Sequence, residues 1–292
     1  MTDPQTASPL PALPDRPADA HKGTFGTVAV VGGSTDMIGA PAIAAGAALR
    51  TGCGLARLVC PGHVLPFAIV AEPSATGLPI DYDAEPRQTA DRISGKLRDG
   101  DVLAVGPGMD QARGPQRLVE ALLRRSFTVV LDADGLNNLA DMADAPMVPR
   151  CPLVMTPHPG EYQRLADAAH LHHDAKDPDQ RVDAATALAT AYGGIVVLKG
   201  RRTVIADADR HHVNQTGNPA LATAGTGDVL TGMIASLIAQ GLEPFDAAAL
   251  GVHLHGLAAD RWARTHGPVG LTARSLIELI PPTLAAHAGH GA

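Results

Sequence analysis

The chain has 292 residues, of which 45% are hydrophobic but only 3% aromatic, and it carries a formal charge of −7. That length allows one large domain with a full core, which has to be built from Ala, Val, Leu and Ile rather than from rings. The acidic balance argues against nucleic acid or an anionic membrane as partner, and Cys53, Cys60 and Cys151 match neither zinc nor C-x-x-C spacing.

Residues 1–21 open with the proline-rich "MTDPQTASPLPALPDRPADA" and read as a flexible tail. They lack a basic region followed by an apolar run, and no stretch of the chain reaches the ~18 apolar residues of a membrane span. With three unpatterned cysteines, a reducing, cytoplasmic setting is expected. From residue 27 onward short apolar runs alternate with helical patterns. "TVAVVGG" (27–33), "LARLVCP" (55–61), "DVLAVG" (101–106), "TVVLDA" (128–133), "LVMT" (153–156) and "IVVLKG" (195–200) read as buried strands. "APAIAAGAALRTG", "GPQRLVEALLRRS" and "RVDAATALATAYGG" read as the helices between them, and residues 203–215 as a local antiparallel addition. Leu230, Met233, Ile234, Leu237 and Ile238 then mark a helix closed by Gly241. This alternation predicts an α/β fold, a mostly parallel central sheet covered by helices on both faces. Residues 22–285 read as one domain and 286–292 as a short tail.

The polar and glycine-bearing segments fall where the predicted strands end: Gly32-Gly33-Ser34, Gly106-Pro107-Gly108, Asp132-Ala133-Asp134, Thr156 to Glu161, and Lys199-Gly200. Ligands of open α/β sheets bind outside such ends. A dinucleotide fingerprint fails, because Ser34 occupies its second glycine position and Gln111 the third in "GPGMDQ"; no P-loop is present either. In "TPHPGE", Pro157 and Pro159 stiffen the backbone around His158 while Glu161 opens a helix; a surface histidine and a helix-dipole carboxylate would look the same. "KGRRT" sets Lys199, Arg201 and Arg202 at a strand end, suited to a nucleotide phosphate or to a solvated hairpin turn. His253 and His255, two apart on a predicted helix, do not share a face. In "AGTGD", Gly225 and Gly227 let backbone N–H groups approach an anion at a helix N-terminus. Asp228 beside that cradle is either a helix cap or a base.

Taken in order and spacing, "KGTFGTVAVVGGS", "GAPAIAAGAALRTGCG", "VGPG", "LDADGLN", "TPHPGE", "VLKGRRT" and "GNPALATAGTGDVLTG" resemble the ADP/ATP-dependent NAD(P)H-hydrate dehydratases of the ribokinase-like superfamily, over roughly residues 22–285. The resemblance implies dehydration of the S-epimer of hydrated NADH or NADPH, driven by ADP (or ATP) with Mg²⁺ and releasing AMP and phosphate in the ADP case. It implies that Ala40, Gly108, His158 and Asp228 contact the hydrated dinucleotide. It also implies that Lys199, Gly200, Arg201, Arg202, Thr203 and Gly227 contact the adenine nucleotide. Asp228 would be the base, Gly225, Thr226 and Gly227 the cradle of the transferring phosphoryl group, and Glu161 an indirect metal ligand. A homotetramer and a functional link to an epimerase on a separate chain follow from the same resemblance. Departures from the family pattern are Leu221 and Ala224 for Met and Gly, Met109-Asp110 for Leu-Gly, and Gly135 for Ala; a methyl at Ala224 narrows the approach to the cradle.

The main rival is a vitamin kinase of the same superfamily, of the hydroxyethylthiazole or pyridoxal type, which would stop at the phosphate ester and tends to carry Asn where His158 stands. A nucleotide-sensing binder is a third reading, but binding alone gains nothing from a carboxylate beside phosphate.

Overall fold

The computed structural model describes residues 10–142 and 145–289. The first nine residues of the expected amino-terminal tail and the last three of the carboxyl-terminal one lie outside the described residues. In chain order the elements are β1 (Thr27–Val31), α1 (Gly39–Thr51), β2 (Leu55–Pro61), α2 (Leu65–Ala71), β3 (Thr76–Ile80), α3 (Pro86–Ser94), β4 (Val102–Val105), α4 (Arg113–Leu123), β5 (Thr128–Leu131) and α5 (Asp134–Ala140). They continue as β6 (Leu153–Met155), α6 (Pro159–Ala168), α7 (Arg181–Tyr192), β7 (Ile195–Leu198), β8 (Val204–Ala206), β9 (His211–Val213), α8 (Thr226–Ala239), α9 (Pro244–His266) and α10 (Ala273–His287).

One nine-stranded sheet runs in the order β3-β2-β1-β4-β5-β6-β7-β8-β9. Strands β1 to β7 pair in parallel, and β8 and β9 are the antiparallel addition. Successive strand side chains face opposite sides of a sheet, and β1 shows the consequence. Val28 and Val30 join the core under α1, α8, α9 and α10, whereas Ala29 and Val31 join the core under α3, α4, α6 and α7. The result is three layers. Chain order reverses at β1, which lies between β2 and β4, so a crevice opens at the carboxyl ends of β1 and β4. No helix among the described residues is long and apolar enough to cross a membrane.

Four elements carry no clear sequence signal. Strand β3 reads "TGLPI" and sits at the sheet edge, where Pro is tolerated because no ladder bond is missing on the open side. Helices α2 and α3 are short, and α5, "DGLNNLA", is buried along its whole length, so it shows no polar face to set a period. Residues 10–21, expected as part of a flexible tail, lie against the body. Leu10 and Leu13 pack on the core, and Arg16 donates to the Gly52 carbonyl and Gln240 Oε1 at 3.1 Å each. Its guanidinium also stands 3.7 Å over the Phe25 ring, and these contacts oppose the entropy of ordering the segment.

Candidate active site

Because β1, β4, β5, β6 and β7 run in one direction, the loops that follow them share one edge of the sheet. Gly33 N donates to the Pro107 carbonyl at 2.9 Å, joining the loops after β1 and β4 across the crevice. Gly108 has φ +61°, and a Cβ built there would lie 2.7 Å from Met37 Cβ and 3.1 Å from Ala40 Cβ. Ala40, at the start of α1, and Gly108 are therefore neighbours with no room for a side chain between them. The loop after β5 is tied to the same wall: Asp134 Oδ2 accepts from Asp110 N at 3.0 Å and Oδ1 from Gln111 Nε2 at 2.9 Å.

"KGRRT" divides between interior and surface. Lys199 Nζ bonds Asp132 Oδ1 at 2.7 Å and stands 3.6 Å from Glu161 Oε2. Thr231 Oγ1, on α8, donates to the other Asp132 oxygen at 2.7 Å. Burial alone would raise the Asp132 carboxyl, but the Lys199 ammonium and these hydrogen bonds outweigh it and hold Asp132 ionised. Burial likewise works against the charge on Lys199, and Asp132 and Glu161 together more than restore it. The strand end is clamped by Arg181, whose guanidinium donates to the carbonyls of Leu198 at 2.7 Å and Lys199 at 3.2 Å. Arg201 and Arg202 project into solvent from the turn, and Thr203 Oγ1 closes it on the Gly200 carbonyl at 2.9 Å. Lys199 is thus committed to two carboxylates, and the exposed cations of the motif are the two arginines.

"AGTGD" meets this network directly. Helix α8 begins at Thr226; its N-cap is Gly225, left-handed at φ +87°, with no side-chain cap bond. Asp228 is therefore the third residue of the helix, which removes the reading of Asp228 as the N-cap. The N–H groups of Gly227 and Asp228 have no acceptor among the described residues, as expected of an open helix start. A Cβ at Gly227 would lie 3.5 Å from Lys199 Nζ and 3.7 Å from Asp132 Oδ2. The Asp228 carboxylate makes no hydrogen bond or ion pair among the described residues. Burial first, then the charges of Asp132, Asp134 and Glu161, push its pKa up to about 8 against the opposing pull of Lys199.

"TPHPGE" is arranged differently. His158 is the N-cap of α6: its Nδ1 accepts from Gly160 N at 2.9 Å and Glu161 N at 3.3 Å. Glu161 Oε2 accepts in return from His158 N at 2.7 Å, completing a capping box. Burial raises the Glu161 carboxyl and Lys199 only partly offsets this. Nε2 of His158, 3.4 Å from Glu161 Oε1, is the ring atom left for a ligand, and the side chain is 56% exposed. Among the described residues no group of three or more His, Cys, Asp or Glu is placed to hold a metal ion.

The geometry brings together Gly225, Thr226, Gly227, Asp228, Lys199 and Glu161, and separately Ala40 with Gly108. It adds Thr231, and it gives partners to Asp132 and Asp134, which the sequence reading placed at a strand end without a role. The paired aspartates of "LDADG" at a strand end were the available signal. At Gly135, where the resemblance leads one to expect Ala, a Cβ would come 2.8 Å from the Val105 carbonyl oxygen and 2.7 Å from Leu131 Cδ1. Ala224 is exposed.

Known proteins resemble this chain in sequence and in fold. An ADP-dependent (S)-NAD(P)H-hydrate dehydratase of Neisseria meningitidis is 42% identical over 263 residues, covering 88% of this chain and 84% of that one. A bifunctional NAD(P)H-hydrate repair enzyme of Moorella thermoacetica is 41% identical over 279 residues, 93% of this chain but 52% of that protein; the chain spans about half the length of such bifunctional relatives. The crystal structure of the ADP/ATP-dependent NAD(P)H-hydrate dehydratase of Bacillus subtilis, co-crystallised with ATP and Mg²⁺, superposes with a TM-score of 0.80 at 32% identity, covering 94% and 95% of the two chains. The fold is accordingly ribokinase-like. A family model described as NAD(P)H-hydrate dehydratase matches residues 28–282, and the chain belongs to that family.

Proposed function

We propose that the chain dehydrates the S-epimer of hydrated NADH and NADPH, using ADP in preference to ATP, and releases AMP and phosphate. The observation that carries this reading is the unpartnered Asp228 carboxylate at an uncapped helix start, beside the Lys199–Asp132 pair. The ring hydroxyl is a poor leaving group and its phosphate ester a good one. Asp228 takes the hydroxyl proton as the oxygen attacks the terminal phosphoryl group and the bond to the departing nucleotide breaks. The backbone N–H groups of Gly225, Gly227 and Asp228 meet the charge that develops on the transferring oxygens, while the Thr226 N–H is taken by the Thr223 carbonyl at 3.4 Å. Phosphate then leaves with the C–O electrons as the ring nitrogen lends its pair, and loss of a proton from the adjacent carbon restores the dihydropyridine.

Ala40, Gly108 and His158 Nε2 form the wall for the hydrated dinucleotide, and Gly200 to Thr203, with exposed Arg201 and Arg202, face the adenine nucleotide. Lys199 serves the same site from beneath, through Asp132 and Glu161. Mg²⁺, when bound with the nucleotide, would offset phosphate charge, and Glu161 would be an indirect ligand to it. An epimerase is expected to supply the S-epimer, and a homotetramer is the expected assembly. The test is recovery of nicotinamide absorbance from hydrated cofactor with purified protein, Mg²⁺ and either nucleotide, with AMP and phosphate assayed together. Faster turnover with ATP overturns the nucleotide preference alone. Phosphorylation of a vitamin alcohol without absorbance recovery supports the kinase reading instead.

A further inference from the structure

Helix α9 holds the segment that leads into "AGTGD" at separate points. Asp260 Oδ2 accepts from Gly217 N at 2.9 Å and Oδ1 from Asn218 Nδ2 at 2.8 Å, while Thr216 Oγ1 donates to the His253 carbonyl at 2.8 Å. Nearer the site, His255 Nε2 lies 2.9 Å from the Thr226 carbonyl oxygen. A carbonyl only accepts, so Nε2 carries the hydrogen. Burial pushes the His255 pKa down to about 4, so the ring stays neutral with this one tautomer near neutral pH.

The consequence follows from peptide geometry. The Thr226 carbonyl and the Gly227 N–H belong to one planar unit, which is trans and therefore points them in opposite directions. Fixing the carbonyl fixes the direction of the N–H, and the donated hydrogen bond polarises it. Gly227 N–H is one of the donors at the start of α8 without an acceptor among the described residues.

We propose that His255 is a positioning residue: its hydrogen bond to the Thr226 carbonyl aims the Gly227 N–H at the phosphoryl group bound before α8. This rests on the reading of that loop as a phosphoryl cradle. His255 itself touches neither substrate.

His255→Leu removes the donor at similar bulk, and His255→Gln places an amide N–H at comparable reach. Turnover with ADP and hydrated NADH, the KM for the hydrated cofactor, ADP affinity by calorimetry and melting temperature are measured on each. His255→Leu should lose about tenfold in kcat, less than the 10²–10³ lost when such a donor is removed outright. ADP affinity should fall several-fold and the KM for hydrated NADH should stay within about twofold of wild type, because the aimed donor faces phosphate. His255→Gln should recover most of both losses. If His255→Leu does not fold, His255→Met takes its place, since the flexible thioether fills the same space without a donor. Equal loss in the Gln and apolar variants, or unchanged kcat in the apolar variant, overturns the proposal. A wild-type protein inactive on hydrated NADH whose ADP affinity still falls and recovers across the series overturns the dehydratase reading and leaves this one standing.

Discussion

Helices α6 and α8 both start at the carboxyl edge of the sheet, one residue type apart in logic. Helix α6 closes its own N-terminus: His158 occupies the Gly160 and Glu161 N–H groups, and Glu161 occupies that of His158. Helix α8 begins at a left-handed glycine with no side-chain cap and leaves the Gly227 and Asp228 N–H groups without an acceptor among the described residues. A satisfied start contributes stability, roughly 1 kcal/mol for a good cap. An open one forgoes that and keeps its donors and dipole for an anion. On the proposed function, then, one of two similar-looking motifs builds a wall and the other a reaction site.

The sharpest way to break this contrast is Asp228→Asn. It leaves the open N–H groups in place and removes only the proton acceptor. Turnover should fall by about 10²–10⁴, with ADP affinity unchanged or tighter; a loss below about tenfold would return Asp228 to a structural role. In the wild type, kcat/KM should rise with pH through about 8, where Asp228 loses its proton, and this limb should vanish in the variant. Stability should move the other way. The folded pKa of about 8 lies above the ordinary value of 3.8, so protonation favours the fold: that contribution is complete at low pH and is lost as pH rises through about 8. Asp228→Asn should therefore melt a few degrees above wild type at pH 8 and show no advantage at low pH, as two melting curves would establish.

Gly227→Ala tests the open donors rather than the base. A Cβ there meets Lys199 Nζ at 3.5 Å and Asp132 Oδ2 at 3.7 Å, ordinary contact distances, so the fold accommodates it. Replacing glycine inside a helix stabilises by up to about 1 kcal/mol. The same methyl occupies the approach of a phosphoryl group. The melting temperature should hold or rise while ADP affinity falls about tenfold, both read from calorimetry on one preparation. A variant that binds ADP like wild type would mean that the phosphates do not pass Gly227.

The loops of this site were readable because buried parallel strands end abruptly in Gly, Asp and Pro, as in "VVGG", "LDADG" and "VLKG". The partners inside the site were not. Lys199 and Asp132 are 67 residues apart and meet only because β5, β6 and β7 are adjacent in the sheet; a strand-end lysine reads equally as a phosphate ligand. His255 and Thr226 lie 29 residues apart, and a histidine amid the apolar "GVHLHGLAAD" resembles core filling. The capping box of "HPGE" could have been inferred from spacing, but histidine is an unusual cap, and its ring reads as a ligand contact or a surface residue instead. The edge strand "TGLPI" hid for the opposite reason: Gly and Pro in a strand are informative only once its edge position is known.

The smallest effect, and the one that separates wall from cradle most cleanly, comes from substituting His158 two ways. His158→Ala removes both the cap and the ring, so it should cost about 0.5–2 kcal/mol of stability and also weaken the hydrated dinucleotide. His158→Asn keeps a good N-cap side chain that accepts from the same N–H groups, while deleting Nε2. Its melting temperature should stay close to wild type, and the KM for hydrated NADH should still rise several-fold with ADP affinity unchanged. Calorimetric titration of each ligand beside a melting curve reads all three quantities. Should the Asn variant match wild type in KM, His158 acts only as the cap of α6, and the wall for the hydrated dinucleotide reduces to Ala40 and Gly108. Should ADP affinity fall as far as that for hydrated NADH, the α6 start borders the nucleotide as well, and the division of labour between the two helix termini is wrong.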